Sequence, residues 1–271
     1  MKPPKSHHPV SRWLASKRLG ALRLDLALFV ISVVAFVGFP QIDRFVVART
    51  FNHDAGRFIG AESVFLDRFV EAFDEVHLVI VALCLIGFLA GLLLRNARGQ
   101  SIRRGALFLF LLLFLAPGLV VNGVLKEEWG RARPQSLMAY QGDRSFTRAF
   151  QITDQCETNC AFTSGHAAIG FYFLGLAWAF YQPRWLLLGL ALGTLLGGMR
   201  IVQGRHYLSD VVFSFWVVYG TAIGLAALLY RARGNIGNMG NAGNAGESGE
   251  SNASGTLTGA GAIVSQDERR G

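Results

Sequence analysis

Residues 76–94 read VHLVIVALCLIGFLAGLLL, and residues 95–104 continue RNARGQSIRR. An unbroken apolar run of this length crosses the hydrocarbon core of a bilayer, about 30 Å thick, as one helix. Arg95, Arg98, Arg103 and Arg104 then crowd one short turn, and the excess of basic residues on cytoplasmic loops places that turn inside. The same reading works outward in both directions. Apolar runs at about 24–39, 105–125, 167–181, 185–199 and 211–230 bring the expected number of spans to six. The expected fold is therefore all-α, a polytopic membrane helical bundle with six transmembrane helices and both termini in the cytoplasm.

Composition agrees. The chain is 52% hydrophobic and 16% charged, where a soluble domain carries about 25% charged residues. A formal charge of +8 would suggest nucleic acid in a soluble protein. Here the basic residues stand beside apolar runs, and no aromatic-basic interleaving speaks for RNA or DNA, so nucleic acid is excluded as a partner. The partners this leaves are the bilayer and its lipids.

Three regions follow. Residues 1–23 carry Lys2, Lys5, Arg12, Lys17, Arg18 and Arg23 without an acid and read as a cytoplasmic segment before an uncleaved anchor. Residues 24–233 hold the six spans. Residues 234–271 are rich in Gly, Asn and Ser without an apolar period, and a disordered cytoplasmic tail is expected. Between the first two spans, residues 40–75 are amphipathic. Phe65, Phe69 and Phe73 recur every fourth residue, which predicts a helix lying in the membrane interface. His53 and His77 read as interfacial histidines and Cys84 as a small core residue.

The chemistry lies in three polar stretches, each bordering a span on the external side. The first is Lys126-Glu-Glu-Trp-Gly-Arg-Ala-Arg133-Pro134. Lys126 and Arg133 are two helical turns apart, so a helix would put both cations on one side. The second is Thr163-Ser164-Gly165-His166 at the start of the fourth span. Unpaired backbone N–H groups and the helix dipole favour an anion there, and Gly165 lets it come close. The third is Arg200-Ile-Val-Gln-Gly-Arg-His206-Tyr-Leu-Ser-Asp210. On a helix His206 and Asp210 share a face, so the carboxylate can hold one imidazole nitrogen and leave the other as a nucleophile or base. Arg200 adds fixed positive charge suited to an oxyanion. Cys156 and Cys160 lie in the loop before Ser164. Their spacing does not match zinc-ligand pairs, and a disulfide is open to them in an oxidising compartment.

Taken together, Lys-x6-Arg-Pro, Ser-Gly-His and Arg-x5-His-x3-Asp closely resemble the three-part signature of the type 2 phosphatidic acid phosphatase family. That family shares its helical core with vanadium haloperoxidases. The resemblance covers about residues 40–230, and the Cys-x3-Cys and Val-Gln-Gly-Arg-His-Tyr-Leu-Ser-Asp wording is similar to its bacterial lipid A phosphatases. It implies a lipid phosphatase of the bacterial inner membrane with a periplasmic site. His206 would attack phosphorus, Asp210 would orient it, and His166 would protonate the leaving oxygen and later activate water. Lys126, Arg133, Ser164, Gly165 and Arg200 would bind the phosphate. No metal or other cofactor is implied. The implied substrates are lipid A, a polyprenyl pyrophosphate or a phospholipid such as phosphatidic acid or phosphatidylglycerol phosphate. A phosphotransferase using the same phosphohistidine and a non-catalytic lipid-binding homologue are the alternatives. Thr163 stands where the family has Pro, still able to cap the helix, and Met199 where Ser is common.

Overall fold

A computed structural model describes the backbone of residues 19–94 and 96–250 and the side chains of 24–73, 75–94 and 96–230. Among these residues the chain is helical apart from one short hairpin, Phe51–Asn52 paired antiparallel with Arg57–Phe58. It divides after Leu229 into two compact units.

Helix Leu19–Gly38 is stopped at Phe39 and Pro40, and Gln41–Ala48 leaves it at an angle of 76°. After the hairpin, Ser63 caps helix Val64–Asp74 by accepting from Leu66 N at 3.3 Å. Phe65, Phe69 and Phe73 are on this helix, their rings tilted against one another at centroid distances of 6.0 and 5.3 Å. Val76–Leu93 packs along Ala97–Leu113, and Asn96 caps the second of them through Gly99 N at 2.9 Å. That helix runs on through wide, π-type turns from Phe114 to Leu125, where Pro117 has no N–H to offer the regular ladder.

Four described helical runs are long and apolar enough to cross a bilayer: Val64–Leu93, Ala97–Glu128, Trp185–Val202 and Leu208–Tyr230. The bent pair at the start makes up to a fifth. Six spans were expected, and the difference lies in the run read as 167–181. It forms the shorter helix Gly165–Ala179, tightened to 3-10 geometry at Phe173–Gly175. Almost all of it is buried in protein, so lipid thickness does not set its length. The last helix continues to Glu250, into the stretch expected to lack structure, with no proline to stop it. Residues 251–271 and most of the basic N-terminal segment lie outside the described residues.

Gly165–Tyr172 packs directly on Trp185–Val202 at Gly193, and Gly189 and Gly197 on the same strip admit Leu174 and Val211 equally closely. A Cβ on Gly170 would come within 2.6 Å of Gly193 Cα. One on Gly193 would enter the Phe171 ring, one on Gly189 would meet the Leu174 backbone, and one on Gly197 would meet Val211. By contrast, a Cβ on Gly198 meets nothing within 4 Å.

Gly193→Ala is expected to destabilise the protein by about 1–3 kcal/mol through overpacking, and Gly198→Ala to be neutral or mildly stabilising. Thermal unfolding in detergent checks both, and equal melting temperatures for the two variants would contradict the packing account.

Candidate active site

The three polar stretches meet around one buried ionic group. The helix ending in Lys126–Glu128 is broken at Gly130, which takes φ +64° with no room for a Cβ beside the Thr153 carbonyl. Arg131 is thereby turned into the protein, fully buried. Its Nη1 donates to Asp210 Oδ1 at 2.6 Å and to Ser209 Oγ at 2.8 Å. Its Nη2 donates to Asp43 Oδ2 at 2.8 Å and its Nε to the Thr147 carbonyl at 3.1 Å. The guanidinium also lies 3.9 Å over the Tyr207 ring. Burial alone would make Arg131 easier to deprotonate, but the two carboxylates outweigh that and raise its pKa. Arg131 and Asp43 were not among the sequence candidates. An acid standing alone in the apolar stretch Ile42-Asp43-Arg44-Phe45-Val46-Val47 was the available signal.

Asp210 also folds back to accept from Tyr207 N at 2.8 Å through Oδ2, closing the first turn of the last helix. With both oxygens engaged, it approaches His206 Nδ1 only to 3.5 Å. The nearer partner of Nδ1 is the Ala161 carbonyl at 2.8 Å. A carbonyl can only accept, so Nδ1 carries the proton and Nε2 keeps its lone pair. The expected Asp210–His206 hydrogen bond is thus replaced by a bond to backbone, because Arg131 and Tyr207 claim the carboxylate. His206 is 1% exposed. Burial first, then the charges of Arg133, Lys126 and Arg200, push its pKa well below 6.5, so the imidazole is neutral.

The cations do not share a helical face as the sequence spacing suggested, since the break at Gly130 separates Lys126 from Arg133. They converge instead on Asn159. Lys126 Nζ donates to Asn159 Oδ1 at 3.2 Å, and Arg133 Nε and Nη2 donate to the Asn159 carbonyl at 3.2 and 2.7 Å. Burial, then Arg205, lowers the Arg133 pKa. Arg200 reaches Gln203 Oε1 at 2.9 Å, and Gln203 Nε2 donates to Asp67 Oδ1 at 2.8 Å. Helix Val64–Asp74 therefore braces the third cation.

Ser164 caps helix Gly165–Tyr172, its hydroxyl oxygen accepting from Ala167 N at 3.4 Å. Thr163, expected as a possible cap, is fully buried, and its hydroxyl finds no hydrogen-bond partner among the described residues. A Cβ on Gly165 would lie 3.0 Å from Lys126 Nζ, so the ammonium sits at this helix N-terminus. His166 is partly buried in the first turn. Cys156 and Cys160 are joined in a disulfide across a Cα separation of 5.7 Å. No cluster of His, Cys, Asp and Glu able to hold a metal occurs among the described residues. Behind Tyr207, a cavity of about 370 Å³ opens between residues 44–48 and 137–146, with Arg44 and Arg144 in its wall.

Arg131→Met is expected to cost about 3–5 kcal/mol, because it leaves Asp43 and Asp210 buried without a cation. A melting temperature in detergent equal to that of the unaltered protein would contradict the proposed role of the ionic group.

Two comparisons bear on this geometry. The PAP2 superfamily pattern matches residues 105–235, which include all three polar stretches. The lipid A 4'-phosphatase of Francisella tularensis subsp. novicida (strain U112) is 32% identical over 214 residues, 78% of this chain and 96% of that protein. The lipid A 4'-phosphatase of Rhizobium leguminosarum is 38% identical over 120 residues, 43% of this chain and half of that protein. The lipid A 1-phosphatase of Rhizobium johnstonii is 36% identical over 127 residues, 45% of this chain and 48% of that protein. No solved structure is significantly similar. A relative matched almost from end to end, and a superfamily pattern lying over the residues gathered at His206, place the chain: it belongs to the PAP2 superfamily and resembles lipid A phosphatases.

Proposed function

We propose that the protein hydrolyses the phosphate monoester of a membrane lipid, of the lipid A class, through a phosphohistidine at His206. The observation that carries this reading is the state of His206. It is neutral, its Nδ1 proton is donated in a hydrogen bond to the Ala161 carbonyl, and the charges of three cations act on it. An imidazole so placed is a nucleophile beside an oxyanion site.

In the first step Nε2 attacks phosphorus and the bond from phosphorus to the lipid oxygen breaks. His166 gives its proton to that oxygen, so the lipid leaves as an alcohol. The imidazole becomes positive as the N–P bond forms, and the Asp210 carboxylate 3.5 Å away stabilises that charge. In the second step water attacks phosphorus, His166 takes its proton, and the N–P bond breaks to release phosphate. Lys126, Arg133, Arg200, the Ser164 hydroxyl and the Gly165 N–H neutralise the equatorial oxygens throughout. These residues supply positioning and charge, and the mechanism calls on no metal.

The class of lipid is read from the relatives, whose names specify lipid A. The cavity between residues 44–48 and 137–146 supports headgroup selection by those two segments. We also read the site as facing the periplasm of the inner membrane, with both termini in the cytoplasm. Arg98, Arg103 and Arg104 at the start of helix Ala97–Leu113, and the Gln182–Arg184 turn, lie at the opposite ends of the helices that carry the site. On this reading Gly165–Ala179 is the sixth crossing, shielded from lipid by its neighbours, within a phosphatase unit of residues 24–233. The shared core with vanadium haloperoxidases belongs to the same proposal.

Phosphate release from lipid A by the purified protein in detergent is expected to persist in EDTA and to fall by about a thousandfold or more in His206→Ala. Normal turnover by that variant would sink the mechanism. The pH profile gives a second check. A nucleophile with a lowered pKa keeps its activity until pH falls well below the ordinary histidine value of 6.5. Removing one depressing charge, as in Arg133→Gln, should shift the acid limb of kcat/KM upward towards 6.5. An unshifted limb would show that it does not report His206.

A further inference from the structure

We infer that Asn159 is a positioning residue for the phosphate site: its backbone and side-chain carbonyl oxygens aim Arg133 and Lys126 at the anion bound beside His206. This rests on the phosphatase reading and adds a residue outside the three signature stretches.

The geometry has three parts. First, one residue serves both cations, with Oδ1 receiving Lys126 and the main-chain oxygen receiving two donors of Arg133. The Arg133 contacts use Nε and Nη2, and Nη1 is not engaged by Asn159. Second, these are two of the three cations whose charge acts on His206, so what orients them orients the site. Third, Asn159 is itself fixed. Its φ of 50° is left-handed, a conformation that asparagine tolerates better than most residues. The next residue, Cys160, is fully buried, is bound to Cys156, and donates its N–H to the Lys126 carbonyl at 3.2 Å. The disulfide-closed turn is thus tied to the very residue whose ammonium it directs.

Lysine and arginine each lose considerable rotamer freedom when they close on a ligand. A carbonyl that already holds them in place removes part of that cost before phosphate arrives, which raises affinity without touching the ligand. Asn159 is exposed, so its side chain contributes little to the core.

The test uses the full-length protein in detergent and inorganic phosphate as probe, with binding read by calorimetry and turnover read separately. Asn159→Gly keeps the left-handed backbone and its carbonyl but removes Oδ1. It is expected to weaken phosphate binding about tenfold in the otherwise unaltered protein, and less than about twofold in a Lys126→Met background, since its partner is then absent. Reducing the disulfide with dithiothreitol should weaken binding in the same direction. Unchanged affinity in Asn159→Gly, or an equal loss in both backgrounds, would overturn the proposal. So would unchanged affinity after reduction, a measurement that needs no variant to fold. Phosphate binding without lipid turnover would sink the phosphatase reading and leave this one standing. Turnover with wild-type phosphate affinity in Asn159→Gly would do the reverse.

Discussion

The guanidinium of Arg131 is held with no contact to water between Asp43 and Asp210, residues separated from it by 88 and 79 positions in the chain. Moving three charges out of water is costly, several kcal/mol for each ion, and hydrophobic groups of the same volume would often be more stable. The cost is offset only because nearly every polar atom in the group is used. Arg131 spends four hydrogen bonds, Asp43 also accepts Ser209 N and Oγ, and Asp210 also accepts Tyr207 N. The arrangement ties the segment after the first helix, the loop after Lys126 and the start of the last helix to one point. Because Tyr207 immediately precedes that helix, the same contacts decide where His206 points. Stability and positioning cannot be separated here.

That arrangement also redistributes the work around the histidine. A carboxylate bonded directly to Nδ1 would make the imidazole more basic, and at neutral pH more of it would be protonated and unable to attack. In this protein Arg131 draws Asp210 away, and a neutral carbonyl takes the Nδ1 proton instead. Three nearby cations reinforce the effect. On the proposed mechanism they lower the basicity of the nucleophile, yet they also act on a substrate carrying about two negative charges. For phosphoryl transfer the second effect dominates, since the reaction gains more from neutralising oxygens than from a stronger base.

Much of this was legible in the chain. Apolar runs marked the helices, and three spaced motifs marked the stretches that meet around the buried Arg131 and His206. What escaped the reading has physical causes. Lys126 and Arg133 looked like one helical face because Gly130 between them can continue a helix or end it, and only the packing against Thr153 decides. The Ala161 carbonyl has no signature, since every residue carries one. Arg131 was hidden by its neighbour, because two arginines two places apart look alike until one is buried and the other is not. The glycine strip went unread although it was readable: Gly189, Gly193 and Gly197 recur every fourth residue. The shortness of Gly165–Ala179 was not, because an apolar run does not reveal whether lipid or protein surrounds it.

The glycine strip and the buried charges address the same problem from opposite ends. A phosphate site at a bilayer surface must bring a helix N-terminus, several cations and a histidine within one anion's reach, while like charges repel and lipid offers no hydrogen bonds. Close contact of Gly170 with Gly193 fixes the helix carrying Ser164 and Gly165 to the helix carrying Arg200 by shape, with no polar side chain at the point of contact. Where the chain leaves the apolar region, shape gives way to polar ties: Ser214 Oγ to the Ser164 and Asp210 carbonyls, Gln203 to Asp67, and Arg131 to its two acids. The division follows the dielectric. Packing sets distances where hydrogen-bond partners are scarce, and ion pairs set them where the site needs charge in any case.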